Sequence, residues 1–181
     1  MLARLYNAIE EASQMQGSEP VETVISALGA DAAEAYKLGS NLLETFYSAL
    51  DTDFNTAAGL AAVFETARAI NRVSNHKKAK KRGGPVVQPA LEAIKVIGEA
   101  LGILTLSPEA FHDEVKTKSL KAMNIERAEI ENLLIDRASA REAKDWTKAD
   151  EIRDILVSKR IQVMDRPEGV TWRVSLGQED S

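Results

Sequence analysis

The segment "SAREAKDWTKADEIRDIL", from Ser139 to Leu156, concentrates residue types that can stack and form charged hydrogen bonds. It contains Trp146, with Arg141 five residues before it and Asp150 four residues after it. It contains no cysteine or histidine, so it offers no thiol nucleophile and no imidazole base or metal ligand. These residues therefore favour recognition of a ligand over covalent or metal-assisted catalysis.

The composition excludes several classes of chemistry. The chain has no cysteine, which rules out disulfides, thiolate catalysis and cysteine-based zinc sites. Its two histidines, His76 and His112, stand alone in polar surroundings and are expected to be solvated. We find no glycine-rich phosphate loop, no H-E-x-x-H and no G-x-S-x-G motif. The sequence therefore predicts neither catalytic nor metal-binding residues.

The charge balance argues against general coating of a nucleic acid. With 23 basic and 28 acidic residues, the chain has a net charge of −5, whereas non-specific nucleic-acid binders are usually basic. A local site read by a few side chains stays compatible with this charge. One run, "KKAKKR" from Lys77 to Arg82, is strongly basic and could contact a phosphate backbone or simply form a solvated loop.

Apolar spacing in the first part of the chain predicts a mainly α protein that begins with an antiparallel helical bundle over residues 1–107. Helical spacing of apolar residues recurs near the start, from Asp31 onward, after residue 55 and from Val87 to Leu104. "VETVISALG" predicts a short helix or an extended arm, and either Asp53 or Asn55 could cap the helix that follows. The stretch from His76 to Pro85 predicts a loop.

The second part of the chain changes character. Residues 108–123 have weak periodicity and many charges, which predicts a linker. Residues 124–175 predict a small tail domain of two helices, the second capped by Asp145, followed by a β-hairpin. Trp172 is expected in the core of that hairpin. Residues 176–181 predict a disordered tail.

The tail "IENLLIDRASAREAKDWTKADEIRDILVSKRIQVMDRPEGVTWR" resembles the C-terminal end of cysteinyl-tRNA synthetases. The resemblance rests on A-R-x-x-K-D-W, on A-D-x-I-R-D-x-L and on a strand that ends in D-x-P-x-G and W-R. Upstream, "ALDTDFNTAAGLAAVFETARAINR" is similar to the helical-bundle (DALR-like) domain of that family, and "LARLYNAI" to the segment before it. Two features depart from the family: Val170 precedes Thr171 after the hairpin glycine, and the stretch from His76 to Pro85 is more basic.

The resemblance implies that this chain is the tRNA-facing part of a class I cysteine–tRNA ligase, expressed as a fragment. The HIGH and KMSKS motifs and the zinc cysteines of the family are absent from this sequence. ATP and zinc are therefore expected only in a catalytic half that precedes Met1, and aminoacylation by this chain alone is not expected. Implied partners are the tRNA specific for cysteine and the ligase's own catalytic domain. A cytoplasmic location is the default, and no membrane association is expected.

The resemblance also implies which residues contact RNA. The family's anticodon is GCA, and unpaired loop bases are bound by stacking and by hydrogen bonds to their Watson–Crick edges. Asp150 is the candidate for guanine, Arg141 for cytosine, and Asp165 lies near the third base. Trp146 is the candidate stacking platform. Apart from the resemblance, the basic residues Arg137, Lys144, Lys77 and Lys78 are possible contacts to the RNA backbone.

Other interpretations of these residues are open at this point. Arg141 and Asp145 could form only a surface ion pair, Asp150 could be a solvated helix residue, and Trp146 could close the corner between two helices. The chain as a whole could be a helical protein-interaction module without RNA binding, which its acidic charge favours. A relative that joins cysteine to an amino sugar would not need the intact tail motif.

Overall fold

The structure is a computed structural model that describes residues 2–166 and 169–175. Within these residues it contains nine helices and one two-stranded antiparallel sheet, which confirms the prediction of a mainly α fold. The elements are α1 Leu2–Ser13, α2 Val21–Leu28, α3 Ala30–Asp51, α4 Thr56–Ser74, α5 Ala79–Arg82, α6 Gly84–Leu101, α7 Pro108–Ala122, α8 Arg127–Glu142, α9 Trp146–Ser158, β1 Ile161–Arg166 and β2 Gly169–Val174.

Contacts divide the chain into two compact units, Met1–Phe111 and His112–Ser181. In the first unit, α3 packs along α4 and α6, and α1 packs against the same two helices. The buried side chains at the centre of this bundle include Leu5, Leu42, Phe46, Ile70 and Ile94. Along α6, for example, the buried residues Val87, Ala90, Ile94 and Ile97 follow one another at intervals of three or four, which is the spacing of one buried helix face.

Small residues allow the bundle helices to approach closely. A Cβ atom at Gly39 of α3 would lie 2.7 Å from the Cβ atom of Ala90 and 2.8 Å from its backbone nitrogen. A Cβ atom at Gly59 of α4 would lie 2.8 Å from the Phe46 ring. Small residues in both α3 and α4 therefore permit close packing with their neighbours.

Local hydrogen bonds decide where α4 begins. The Asn55 side chain accepts a hydrogen bond from the Ala58 N–H at 3.0 Å, so Asn55 rather than Asp53 is the N-cap. Asp53 and Phe54 before it have positive φ angles of 61° and 50°, which places both in the tight turn that reverses the chain after α3.

The structure resolves one choice that the sequence left open and corrects two sequence-based expectations. The choice left open for residues 21–28 is resolved as a helix, α2. The loop expected from His76 to Pro85 is wrong in part: Ala79 is fully buried and anchors the short helix α5, and α6 already begins at Gly84. Proline in the first turn suits a helix start, because that position needs no N–H donor.

The segment expected as a linker, residues 108–123, is mostly helical as α7. Its low sequence periodicity reflects how little of it is buried, since only Ser119 and Leu120 are buried within it. Along the chain, the boundary between the two compact units falls inside this segment, between Phe111 and His112. The exact domain boundaries stay a prediction. The tail expected at residues 176–181 lies outside the described residues.

Gly39→Ala should destabilise the bundle, because the neighbouring atoms include the Ala90 backbone, which cannot rotate away. We expect overpacking of about 1–3 kcal/mol, opposed by a helix-propensity gain of about 1 kcal/mol. Urea denaturation followed by circular dichroism measures the net loss. Ser40→Ala, an exposed neighbour on the same helix, is the control and should leave the midpoint almost unchanged. A Gly39→Ala midpoint at or above that of the wild type would contradict the close approach.

Candidate nucleic-acid interface

The second unit has a small apolar core that holds α8, α9 and the hairpin together. It is built from buried residues of α7, α8, α9 and both strands: Leu120, Ile130, Ile152, Leu156, Ile161 and Trp172. Trp172 is 7% exposed and lies opposite Val163 in the sheet, which confirms its predicted core position. The ammonium group of Lys116 lies 4.9 Å from the centroid of the Trp172 ring, within cation–π range.

A turn of three residues joins α8 to α9 and fixes the angle between them. Lys144 adopts a left-handed conformation with φ 58°. Its N–H donates to the Arg141 carbonyl at 3.1 Å, and the Asp145 N–H donates to the Ala140 carbonyl at 2.8 Å. This pair of bonds is the Schellman arrangement that ends a helix.

The same Asp145 starts the next helix. Its carboxylate accepts a hydrogen bond from the Lys148 N–H at 3.1 Å, which confirms the predicted N-cap of α9. One residue therefore ends α8 through its backbone and begins α9 through its side chain. The turn is therefore hydrogen-bonded to the end of α8 and to the start of α9.

The predicted base-reading residues lie on both sides of this turn. Arg141 is exposed in the last turn of α8, next to the buried Ala140, and Asp150 is exposed on α9, next to the buried Ala149. Trp146 is the first residue of α9 and is 59% exposed. Trp146 and Asp150 are four residues apart in one helix, so they share one face of α9. The exposure of Trp146 does not fit the alternative in which it closes the helix corner.

Arg153 completes this face and was not among the predicted site residues. It is exposed and lies seven residues after Trp146 and three after Asp150, so all three belong to one stripe of α9. The spacing of i, i+4 and i+7 in the sequence was a signal that could have identified it. An arginine at this place adds a positive charge to the helix face that carries Asp150.

The remaining predicted residues have different surroundings. Arg137 is only 8% exposed and lies on the buried side of α8, so a backbone contact by its guanidinium does not fit its burial. Lys144 is exposed at the turn itself. Asp165 lies in β1 opposite Val170, and its side chain is outside the described part of the structure. Lys77 and Lys78 belong to the other compact unit.

Ion pairs at the far end of α8 orient that helix. Arg127 donates to Asp113 at 2.7 Å and to Glu131 at 2.9 Å, and Lys159 lies 2.7 Å from Glu129. The hydrogen bond to Asp113, followed by that to Glu131, raises the pKa of the Arg127 guanidinium above its usual value. These side chains are half exposed, so the pairs orient the helices more than they stabilise the fold.

Metal-binding clusters and membrane-spanning helices are both absent from residues 2–166 and 169–175. No group of three or more histidine, aspartate or glutamate side chains there is arranged to hold a metal ion. None of the helices in this part of the chain combines the length and apolar character needed to cross a membrane.

Comparison with known families gives two matches, one in each part of the chain. Residues 45–105 match the family described as the DALR domain, and residues 127–173 match the family described as the cysteinyl-tRNA ligase anticodon binding domain. The second match contains α8, α9 and most of the hairpin. A helical bundle followed by a small anticodon-binding domain therefore defines the class to which this protein belongs.

Individual relatives agree with these matches. A cysteine–tRNA ligase of Geobacter sulfurreducens is 38% identical over 176 residues, covering 96% of this chain and 34% of that protein. The ligase of Geobacter metallireducens is 40% identical over 131 residues, covering 72% of this chain and 27% of that protein. The ligase of Actinobacillus pleuropneumoniae serotype 5b is 38% identical over 148 residues, covering 82% of this chain and 30% of that protein.

This chain belongs to the cysteine–tRNA ligase family and carries its DALR and anticodon-binding domains. It spans about a third of the length of the curated relatives it matches. The anticodon-binding domain supports tRNA binding by this chain.

Asp145→Ala should weaken the junction between α8 and α9, because it removes the only side-chain cap described for α9. We expect a loss of about 1 kcal/mol in the stability of the second unit, within the range of about 0.5–2 kcal/mol for lost caps. Asp145→Asn keeps a capping oxygen and should stay close to the wild type. Thermal unfolding of both variants makes the comparison, and equal losses in both would contradict the capping role.

Proposed function

We propose that this chain is the tRNA-binding region of a cysteine–tRNA ligase and reads the GCA anticodon by side-chain hydrogen bonds and stacking. The observation that carries the proposal is the exposed face of α9, where Trp146 and Asp150 lie one turn apart beside a rigid turn. This face belongs to the segment that matches an anticodon-binding domain.

The chemistry of guanine suits Asp150. Guanine presents two adjacent donors on its Watson–Crick edge, the ring N1–H and the exocyclic amine, and an ionised carboxylate has two acceptor oxygens to receive them. The neighbouring Trp146 offers an exposed ring on which a splayed base can stack. One residue thus supplies selectivity for the first anticodon base, and the other supplies affinity that depends little on base identity.

The chemistry of cytosine suits Arg141. Cytosine has two adjacent acceptors on its Watson–Crick edge, the carbonyl oxygen and the ring nitrogen, and a guanidinium group offers parallel donors. Arg141 precedes the turn and Asp150 follows it, so the same turn governs the separation of both groups. Asp165 is proposed near the third base, from the strand that follows α9.

The whole ligase would carry the rest of the reaction. The longer relatives are named cysteine–tRNA ligases, so the joining of cysteine to tRNA is proposed for a catalytic domain outside this chain. ATP and zinc, which the family resemblance implies, are proposed for the same domain. In this arrangement the present chain contributes selection of the tRNA by its anticodon, and its own catalytic domain is its partner.

Asp150→Asn should remove the preference for guanine at the first anticodon position. The substitution keeps the size of the side chain but replaces one acceptor by a donor, which opposes the guanine donors. We expect the wild type to favour the GCA stem-loop over one with a changed first base by about 1–3 kcal/mol, and the variant to lose most of that difference. Fluorescence anisotropy with the two labelled stem-loops measures both affinities.

Asp154→Asn is the matched control for this experiment. Asp154 is exposed one turn further along α9, so its substitution changes the net charge equally on the same helix. The control should keep the wild-type preference. If Asp150→Asn shifts the affinity for every stem-loop by the same factor, base reading by Asp150 is wrong. If the wild type does not bind the stem-loops at low salt, the protein-interaction alternative takes its place.

Trp146→Ala should weaken binding of all stem-loops alike, since stacking does not distinguish one base strongly from another. The expected loss is about 1–3 kcal/mol, measured by the same anisotropy titrations. Trp146→Phe retains an aromatic face and should recover much of that loss. Because Trp146 is largely exposed, neither variant should alter the thermal unfolding midpoint greatly. Equal affinity of the alanine variant and the wild type would remove stacking from the proposal.

A further inference from the structure

Four lysines of the first unit are gathered on one short turn. Lys77, Lys78, Lys80 and Lys81 are all exposed, and they surround Ala79, whose side chain is fully buried. Ala79 thus pins the middle of the turn to the bundle, while the charged groups on either side face solvent. The sequence leaves two interpretations of this run open, a solvated loop and a contact to a phosphate backbone. In the structure, Ala79–Arg82 form the short helix α5.

Hydrogen bonds clamp this turn to the connection between α1 and α2. The Gln16 N–H donates to the Lys80 carbonyl at 2.8 Å, and the Gly84 N–H donates to the Gln16 carbonyl at 2.9 Å. Arg82, the last basic residue of the run, forms an ion pair with Glu19 of the same connection. The C-terminal part of the turn is therefore fixed to this connection, which lowers the entropic cost of ordering it on a ligand.

The four lysines also differ from the arginines on either side of them in their ion pairing. Among the described residues, none of the ion pairs involves Lys77, Lys78, Lys80 or Lys81. By contrast, Arg72 and Arg82 on either side of the run are both paired with carboxylates. In a chain with a net charge of −5, a concentration of unneutralised positive charge on a clamped turn is suited to a polyanion rather than to internal packing.

We propose that this lysine turn, residues 77–81, is a second RNA contact that binds the phosphodiester backbone of tRNA away from the anticodon. The inference rests on the proposed tRNA binding and adds a contact in the other unit of the chain. Ammonium groups act as point charges toward phosphate oxygens and carry no information about base identity. The lysine turn would therefore add affinity and salt dependence, while the exposed face of α9 with Trp146 and Asp150 supplies selectivity.

The experiment measures how tRNA affinity falls with salt for paired lysine variants. Lys77→Gln/Lys78→Gln and Lys80→Gln/Lys81→Gln each remove two charges from the turn. Lys37→Gln/Lys95→Gln removes two charges from exposed positions elsewhere in the same unit and is the matched control. Binding of a whole tRNA transcript with a GCA anticodon is titrated between about 50 and 200 mM KCl, where phosphate contacts dominate the salt response. Circular dichroism checks that helix content is kept.

The slope of log K against log salt is negative, and each lost phosphate contact makes it less steep by about 0.7–0.9. A double variant of the lysine turn should therefore make the slope less steep by about 1.5. The inference is supported if at least one turn pair makes the slope less steep and the control does not. It is overturned if all slopes agree, if the control changes equally, or if tRNA does not bind at low salt.

The anticodon readout separates this inference from the proposed function. The same variants are titrated with a tRNA whose first anticodon base is changed, and the turn variants should keep the wild-type preference. A preference for GCA together with unchanged slopes overturns the lysine turn alone. Reduced slopes without any anticodon preference in the wild type overturn anticodon reading alone and support the phosphate contact.

Discussion

The geometry of the anticodon-binding unit depends on the turn from Ala143 to Asp145. Its tightness comes from Asp145, whose N–H closes the last turn of α8 and whose carboxylate caps the first turn of α9. Lys144 accepts a left-handed backbone to make this possible, a conformation that costs a non-glycine residue about 1 kcal/mol. Because the ends of both helices are hydrogen-bonded to these three residues, the turn constrains the distance between Arg141 on α8 and Asp150 on α9.

The buried residues next to the turn are small, and the Trp146 ring is left outside the core. Ala140 and Ala149 are the buried residues nearest the turn, while larger side chains such as Leu156 and Trp172 fill the space further away. Small buried residues bring the helices close without using the aromatic ring of Trp146, which stays in solvent. An exposed tryptophan is costly to keep in water, and binding of a base to its face would recover part of that cost.

Much of the fold was predictable because its local signals agree with its packing. Apolar periodicity predicted the bundle helices, Asp145 predicted the start of α9, and the change to a period of two predicted the hairpin. For α4 the sequence left two caps open, Asp53 and Asn55, and the structure selects Asn55. The stretch from His76 to Pro85 was misassigned because glycine, proline and lysine usually indicate a loop. The residues of α5 are good helix formers, and burial of Ala79 together with hydrogen bonds to the α1–α2 connection stabilises this short helix despite the glycines and proline that follow it.

The sequence by itself determined the family and the residue types of the site, because both depend on motifs that are read along the chain. It also fixed that Trp146 and Asp150 share a helix face, which follows from helical spacing alone. Only the tertiary structure decided which charged residues are accessible: Arg137 became buried while Arg141, four residues later, stayed exposed. The reason is that accessibility is set by neighbouring helices, and contacts between helices distant in sequence leave no local signal in the residues themselves.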